Sequence, residues 1–169
     1  VRIFKTYGND AVQVMSENPY RLAKDIRGIG FRTADLIAEK LGIEKTAMIR
    51  VRAGISFALS EAMGDGHCGL PRADLIGLAG KLLEVPQPLI ENALLEELAE
   101  ETVTADSVGE VDCIFLTGLY LAERGIADQL KRIRTGALPW PKIDADKALP
   151  WIERKTSIKL AASQTEAIR

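Results

Sequence analysis

Histidine and cysteine are nearly absent from this sequence. His67 is the one histidine, and Cys68 and Cys113 are the two cysteines. Neither cysteine belongs to a Cys-x-x-Cys pair, so a tetrahedral zinc site has too few donors and no disulfide framework is written into the spacing. Both thiols are read as buried and reduced, which fits a cytoplasmic protein. No apolar run reaches the roughly 20 residues that span a bilayer, which leaves no transmembrane helix to expect. No secretory leader is visible, and the chain opens on Val1 rather than methionine, which reads as a piece of a longer protein. No Gly-x-x-x-x-Gly-Lys-Ser/Thr occurs anywhere, so no cofactor is expected in these residues: nothing here cradles a triphosphate. No Mg²⁺-binding acidic motif or arginine finger follows either.

What is present suffices for a packed protein. The 169 residues are 47% hydrophobic and 27% charged, enough for one domain or two small ones. The net charge of −2 argues against a uniformly basic nucleic-acid binder, but the charge is unevenly spread. Residues 1–52 hold 10 Lys/Arg against 6 Asp/Glu, residues 53–110 hold 2 against 11, and residues 111–169 hold 10 against 7. An anionic partner would therefore land on the first third. The plainer reading is a solvated surface whose charges cluster by chance.

The segment Ile26-Arg27-Gly28-Ile29-Gly30-Phe31-Arg32-Thr33-Ala34-Asp35 lies in that third and reads as the turn of a helix-hairpin-helix. A short helix is expected over Pro19–Ile26, where proline suits an early position and Leu22 and Ile26 share a face. A second is expected over Thr33–Leu41, with Ala34, Ile37, Ala38 and Leu41 inward and Gly42 as its cap. Gly28 and Gly30 permit positive φ and close backbone approach. Ile29 would plug the gap between the helices. The N–H groups of residues 30–33 would then point outward at a helix N-terminus, where unpaired donors and the dipole favour an anion. Gly28, Ile29, Gly30, Phe31, Arg32 and Thr33 are the expected phosphate-binding set, with Arg21, Lys24, Arg27 and Lys40 as supporting cations. Such a contact holds a nucleic-acid backbone and reads no bases. Helical hairpins with glycine-rich turns that bind nothing are the competing reading.

Ahead of the hairpin, Val1–Gly8 reads as a helix that parallels Asp35–Gly42: Ile3 matches Ile37, Tyr7 answers Leu41 and Gly8 matches Gly42. This is a tandem repeat whose first copy is shortened. Residues 9–17 would connect the copies, with Ala11, Val12, Val14 and Met15 packing. From residue 46 a second organisation begins: a helix over Ala47–Met63 (Ile49, Ala53, Phe57, Leu59 and Met63 inward), an edge strand at His67–Leu70, and a helix from Pro71 to Leu83 (Leu75, Ile76, Leu78, Ala79 and Leu82). A further helix over Leu89–Glu100 follows, then strands at Thr102–Ala105 and Val111–Leu116, with Asp106–Glu110 as the turn. That order is a winged helix. The helix that would enter a DNA groove carries Glu91, Glu96, Glu97, Glu100 and Glu101 and no cation, so the unit is read as structural or protein-facing. A helix over Thr117–Arg134, a linker over Thr135–Pro141, a short helix starting at Pro150 and a helical stretch that runs off the end of the chain complete it.

The residues Tyr7-Gly8, Asn18-Pro19-Tyr20-Arg21-Leu22, Gly28-Ile29-Gly30-Phe31-Arg32-Thr33-Ala34-Asp35, His67 to Pro71 and Leu160 to Ile168 resemble the N-terminal region of RecD-like (RecD/TraA-type) DNA helicases, the exodeoxyribonuclease V alpha subunit family. Phe31 stands where hairpins of this fold often carry proline. The resemblance implies a mainly α protein: tandem helix-hairpin-helix over 1–45, a winged-helix-like α+β unit over 46–136, and over 137–169 a linker and first helix leading into a RecA-like ATPase domain, with the chain ending before its phosphate-binding loop. It implies a parent enzyme of superfamily 1 that moves 5′ to 3′ on DNA in recombination and repair, using ATP and Mg²⁺. Gln164 falls where such enzymes place an adenine-recognising glutamine, and an amide suits the adenine edge because it both donates and accepts. An exposed helix glutamine is the plainer reading. These 169 residues alone are expected neither to hydrolyse ATP nor to unwind DNA. Two other classes compete: a scaffold that binds protein through the acidic central unit, and a base-excision glycosylase, for which Asp112 is the nearest stray aspartate.

Overall fold

The computed structural model describes residues 2–137, 141 and 143–168. Leu138, Pro139 and Trp140 of the expected linker lie outside the described residues, as do Val1, Lys142 and Arg169. The fold is mainly α, with one small antiparallel sheet. Two units are distinguished, residues 1–126 and 127–169.

The first unit opens with α1 (Arg2–Tyr7), a 3-10 turn (Gly8–Asp10), α2 (Ala11–Glu17), α3 (Arg21–Asp25) and α4 (Phe31–Lys40). Gly8 and Gly42, paired in the sequence repeat, both have positive φ, +57° and +80°. Helix α3 is shorter than expected because Pro19 sits in the preceding turn. There Asn18 Oδ1 accepts the Tyr20 N–H (3.1 Å) and the Pro19 carbonyl accepts the Leu22 N–H (3.1 Å). Of the packing residues expected on α2, Val14 is buried while Val12 is 70% exposed. On α4, Ala34 and Ala38 are buried, but Leu41 is exposed: the helix has ended, and the inward role passes to Phe31 at its first turn.

Helix α5 (Met48–Gly64) is the centre of the unit. Its buried residues are Arg50, Val51, Gly54, Ile55, Ala58, Leu59 and Ala62; of the expected stripe Leu59 is buried, Ile49, Ala53 and Phe57 are half-buried against the core, and Met63 is exposed. The centre of the buried face is shifted from that stripe because a glycine and two alanines lie on the tightest side. A Cβ on Gly54 would stand 2.5 Å from Leu83 Cδ2, so α5 and α6 (Arg72–Leu83) meet at a spacing that only glycine allows. Helix α7 (Gln87–Ala99) covers the other side, and Ile90, Ala93 and Leu94 complete the core. Leu78, expected inside, is exposed.

Strands β1 (Gly69–Pro71), β2 (Val103–Val108) and β3 (Val111–Leu116) form a sheet in the order β1-β3-β2. The register runs from Val103↔Leu116 to Val108↔Val111, so the turn is only Gly109-Glu110, shorter than the expected Asp106–Glu110. Helix, strand, helix, helix and hairpin give the winged-helix order expected. One core runs from Tyr20, Phe31, Ala34 and Ala38 through Val51 and Ile55 to Val103 and Ile114. It therefore continues across the 45/46 division drawn from composition. Burying each large side chain in it is worth about 1.5–3 kcal/mol.

Helix α8 (Thr117–Thr135) runs from the first unit into the second and buries none of its residues. The expected apolar stripe is present, but Leu121, Ile126, Leu130 and Ile133 are all exposed. Within the second unit, α9 (Ala145–Thr156) starts five residues before Pro150, which lies inside it. The missed signal is Asp144, whose carboxylate caps the helix by accepting the Lys147 N–H at 3.3 Å. The last helix, α10 (Ala162–Ile168), has its own cap: Gln164 Oε1 accepts the Ala161 N–H at 2.9 Å.

Candidate nucleic-acid interface

The turn between α3 and α4 is closed by the Ile29 N–H donating to the Ile26 carbonyl at 3.0 Å. Gly28 has φ +92°, a backbone state that an L side chain rarely adopts. Gly30 corrects the expectation: its φ of −93° and ψ of 173° are ordinary extended backbone, and it serves as the N-cap of α4. Leu22 and Ile26 are buried beneath the turn, whereas Ile29 is only half-buried, so the plug is made by the two helix residues more than by the hairpin isoleucine.

The donors face outward. Arg27, Gly28, Gly30, Arg32 and Thr33 are exposed. The Thr33 and Ala34 N–H groups both donate to the Gly30 carbonyl at 3.1 Å, so Thr33 contributes its hydroxyl and not the backbone donor expected of it. The N–H groups of Gly30, Phe31 and Arg32 donate to no protein acceptor among the described residues. Three successive open amides at the start of a 10-residue helix form a concentration of partial positive charge.

Phe31 belongs to this set only through its backbone. Its ring is 5% exposed and stacked between Tyr20 (centroids 5.6 Å) and Phe57 of α5 (5.0 Å). Where related hairpins often have proline, this chain has an aromatic anchor. The anchor is fixed further by a charged network. The Tyr20 hydroxyl donates to Asp35 Oδ1 at 2.6 Å, and Arg50 of α5 grips both oxygens of Asp35 with Nε (2.8 Å) and Nη2 (3.1 Å). Arg50 Nη1 also donates to the carbonyls of Lys45 (2.9 Å) and Leu83 (3.1 Å). Burial pushes the Asp35 carboxyl up, but the bonds from Arg50 and Tyr20 outweigh it and hold the group below the usual carboxylate range. Burial and the Asp35 bond together push the Tyr20 phenol well above its ordinary value.

The supporting cations divide. Lys24 and Arg27 are exposed on the hairpin's first arm. Arg21 is partly engaged, 3.7 Å from Asp25 and 5.8 Å from the centroid of the Tyr7 ring. Lys40 is misplaced by the sequence reading: nine residues beyond Phe31, at the opposite end of α4, it lies about 14 Å along the helix axis. Lys45 lines, with Arg32, Asp35 and Glu39, a groove of about 350 Å³ beside α4. A further cation was missed. Arg2 Nη1 stands 3.2 Å from where a Cβ on Gly28 would be. Helix α1 is held near α3 by Tyr7, whose hydroxyl donates to Asp25 Oδ2 at 2.7 Å. Burial, then that bond, raises the Tyr7 phenol to about 12. No local pattern announces Arg2, because its partner is 26 residues away.

The remaining sequence candidates are scattered. His67 and Cys68 are exposed, so Cys68 is not the buried thiol expected; its Sγ donates to Glu123 Oε1 at 3.3 Å. Cys113 is buried. Among the described residues no group of three or more His, Cys, Asp or Glu is placed to hold a metal ion, and no helix is long and apolar enough to cross a membrane. Asp112 is exposed and its carboxylate is paired with Arg72 at 2.9 Å. The acidic face of α7 is largely satisfied from within. Arg52 of α5 bonds Glu97 (2.6 Å) and Glu100 and lies 3.5 Å from Glu96, while Thr102 Oγ1 donates to Glu97 at 2.5 Å. Gln164 is exposed, its oxygen occupied by the α10 cap.

Residues 1–69 match the family model described as the ATP-dependent RecD2 DNA helicase HHH domain. The matched span begins before α1, contains the whole hairpin with its Tyr20–Asp35–Arg50 support, and ends at Gly69 beyond α5. Residues 1–69 are thus similar to the helix-hairpin-helix domain of ATP-dependent RecD2 DNA helicases.

Proposed function

We propose that this chain is a DNA-holding accessory region of an ATP-dependent, 5′-to-3′ superfamily 1 helicase acting in recombination and repair. The observation that carries the proposal is the exposed row of open amides at Gly30, Phe31 and Arg32, flanked by Arg27, Arg32 and Lys24 and backed by a rigid core. A phosphate oxygen seated there would gain two or three charge-assisted hydrogen bonds in a pre-formed site. Nothing in the site faces base edges, so binding is indifferent to sequence and falls steeply with salt. The motor belongs to the parent enzyme, which would take ATP and Mg²⁺ and act in the cytoplasm. With no phosphate-binding loop among these 169 residues, the chain by itself neither turns over ATP nor unwinds DNA. Gln164 would meet adenine only after releasing the Ala161 amide it now caps.

The test is anisotropy of labelled DNA titrated with the chain at two salt concentrations. Wild-type protein binds weakly and loses affinity as salt rises, and Arg32→Glu abolishes most of the binding. Equal affinity for the variant and the wild type would refute the hairpin as the contact. The scaffold reading has less support at α7, where Arg52 pairs with Glu96, Glu97 and Glu100 and offsets one of the charges on that face. Its remaining support is the exposed stripe of Leu121, Ile126, Leu130 and Ile133 on α8.

A further inference from the structure

We infer that Arg2 is a direct phosphate ligand of the hairpin site, supplied by a helix outside the hairpin. The inference rests on the DNA-holding reading above and extends it by one residue. Arg2 Nη1 lies 3.2 Å from the position of a Cβ on Gly28, so the guanidinium covers the one hairpin residue whose backbone is bare and in the left-handed region. The side chain has no carboxylate within ion-pair distance among the described residues, and the residue is exposed. Its position is not accidental to a loose terminus: the other end of α1 is fastened to α3 by the Tyr7 hydroxyl, which touches both Asp25 Oδ2 (2.7 Å) and the Arg21 carbonyl (3.3 Å). A helix of six residues, held at its C-terminal end, thereby carries a fork of N–H donors to the hairpin.

The chemistry fits a phosphodiester. The Gly30–Arg32 amides face one oxygen as fixed partial charges, and a planar guanidinium offers two parallel donors to the other non-bridging oxygen of the same phosphate or to the next one. Lysine cannot reproduce that fork. Arg2 and Arg32 would thus approach the nucleic-acid backbone from two sides.

The salt dependence of binding by the full 169-residue chain distinguishes the outcomes. Each phosphate contact contributes about 0.9 to the slope of log K against log salt for duplex and about 0.7 for single strands. Titrations with single-stranded and duplex oligonucleotides of equal length also tell which backbone is preferred. Arg2→Gln should lower that slope by about one contact and weaken binding several-fold at low salt, with an unchanged thermal midpoint. Arg2→Lys should recover the slope but only part of the affinity, and Lys81→Gln, an exposed cation on α6, should change neither. Should Arg2→Gln bind like wild type while Arg32→Glu fails, the Arg2 inference falls and the hairpin reading stands. Should neither variant alter binding, both fall. A Lys81→Gln loss equal to that of Arg2→Gln would reduce the effect to net charge and overturn the inference.

Discussion

Arg50 is the test of how the hairpin is held. Its guanidinium is almost wholly buried and makes four hydrogen bonds: two to Asp35 on α4 and two to the Lys45 and Leu83 carbonyls. Arg50→Ala removes all four and leaves an aspartate facing a void. Removing one partner of a fully buried pair costs about 3–5 kcal/mol. The Asp35 side chain is 27% exposed, so water reaches part of it and the lower end of that range, about 3 kcal/mol, applies. For a chain of this length that is a fall in Tm of about 10 °C. In urea the midpoint should drop by about 1.5 M with the slope unchanged. Arg50→Lys keeps the charge but not the fork and should fall between.

The pH dependence follows from the depressed Asp35 carboxyl. A carboxyl held below its unfolded value stabilises the fold above that value, near 3.9, and the contribution disappears as pH falls through the folded one. The gap between wild type and Arg50→Ala should therefore be full at pH 6 and shrink toward pH 3. A loss under about 1 kcal/mol, or a gap that does not narrow in acid, would refute the reasoning.

Two further substitutions probe the core. Gly54→Ala puts a methyl 2.5 Å from Leu83, itself 1% exposed with nowhere to move, and should cost about 1–3 kcal/mol in the same urea assay. Unchanged stability would mean that the α5–α6 spacing is not set by that glycine. Arg52→Ala strands the buried Glu97 with only the Ser56 and Thr102 hydroxyls and should cost about 3 kcal/mol. Adding Glu97→Gln should return part of it, because the double variant no longer buries a charge without a partner. Strictly additive losses would show that the two side chains are not coupled.

Local patterns carried the sequence reading a long way. Gly28, the Leu22–Ile26 pair and the Ala34–Ala38 pair define the hairpin within 17 residues, and the turn glycines and alternating strands gave the winged order. The errors share a cause. Arg50 and Arg52 look like surface cations in a window of 15 residues, yet their partners are 15 and 45 residues away. On α5 the larger side chains Ile49, Phe57 and Met63 draw the expected stripe to one side, whereas the closest packing is at the small residues Gly54, Ala58 and Ala62. Lys40 was grouped with the hairpin because it is near in sequence, while Lys45 and Arg2 are near in space. Pro150 hides the start of α9 in the sequence, because the Asp144 cap that sets it lies six residues earlier.

The ring of Phe31 has a mechanical consequence. The residue whose open amide starts α4 has its ring wedged between Tyr20 and Phe57 in the middle of a 17-residue helix. If a strand is held there as proposed, a pull on it would not be absorbed by a pliant loop. It would pass through a stack of three aromatic planes into α5 and from there to the sheet, so that any strand tension reaching the hairpin would load the winged unit as well.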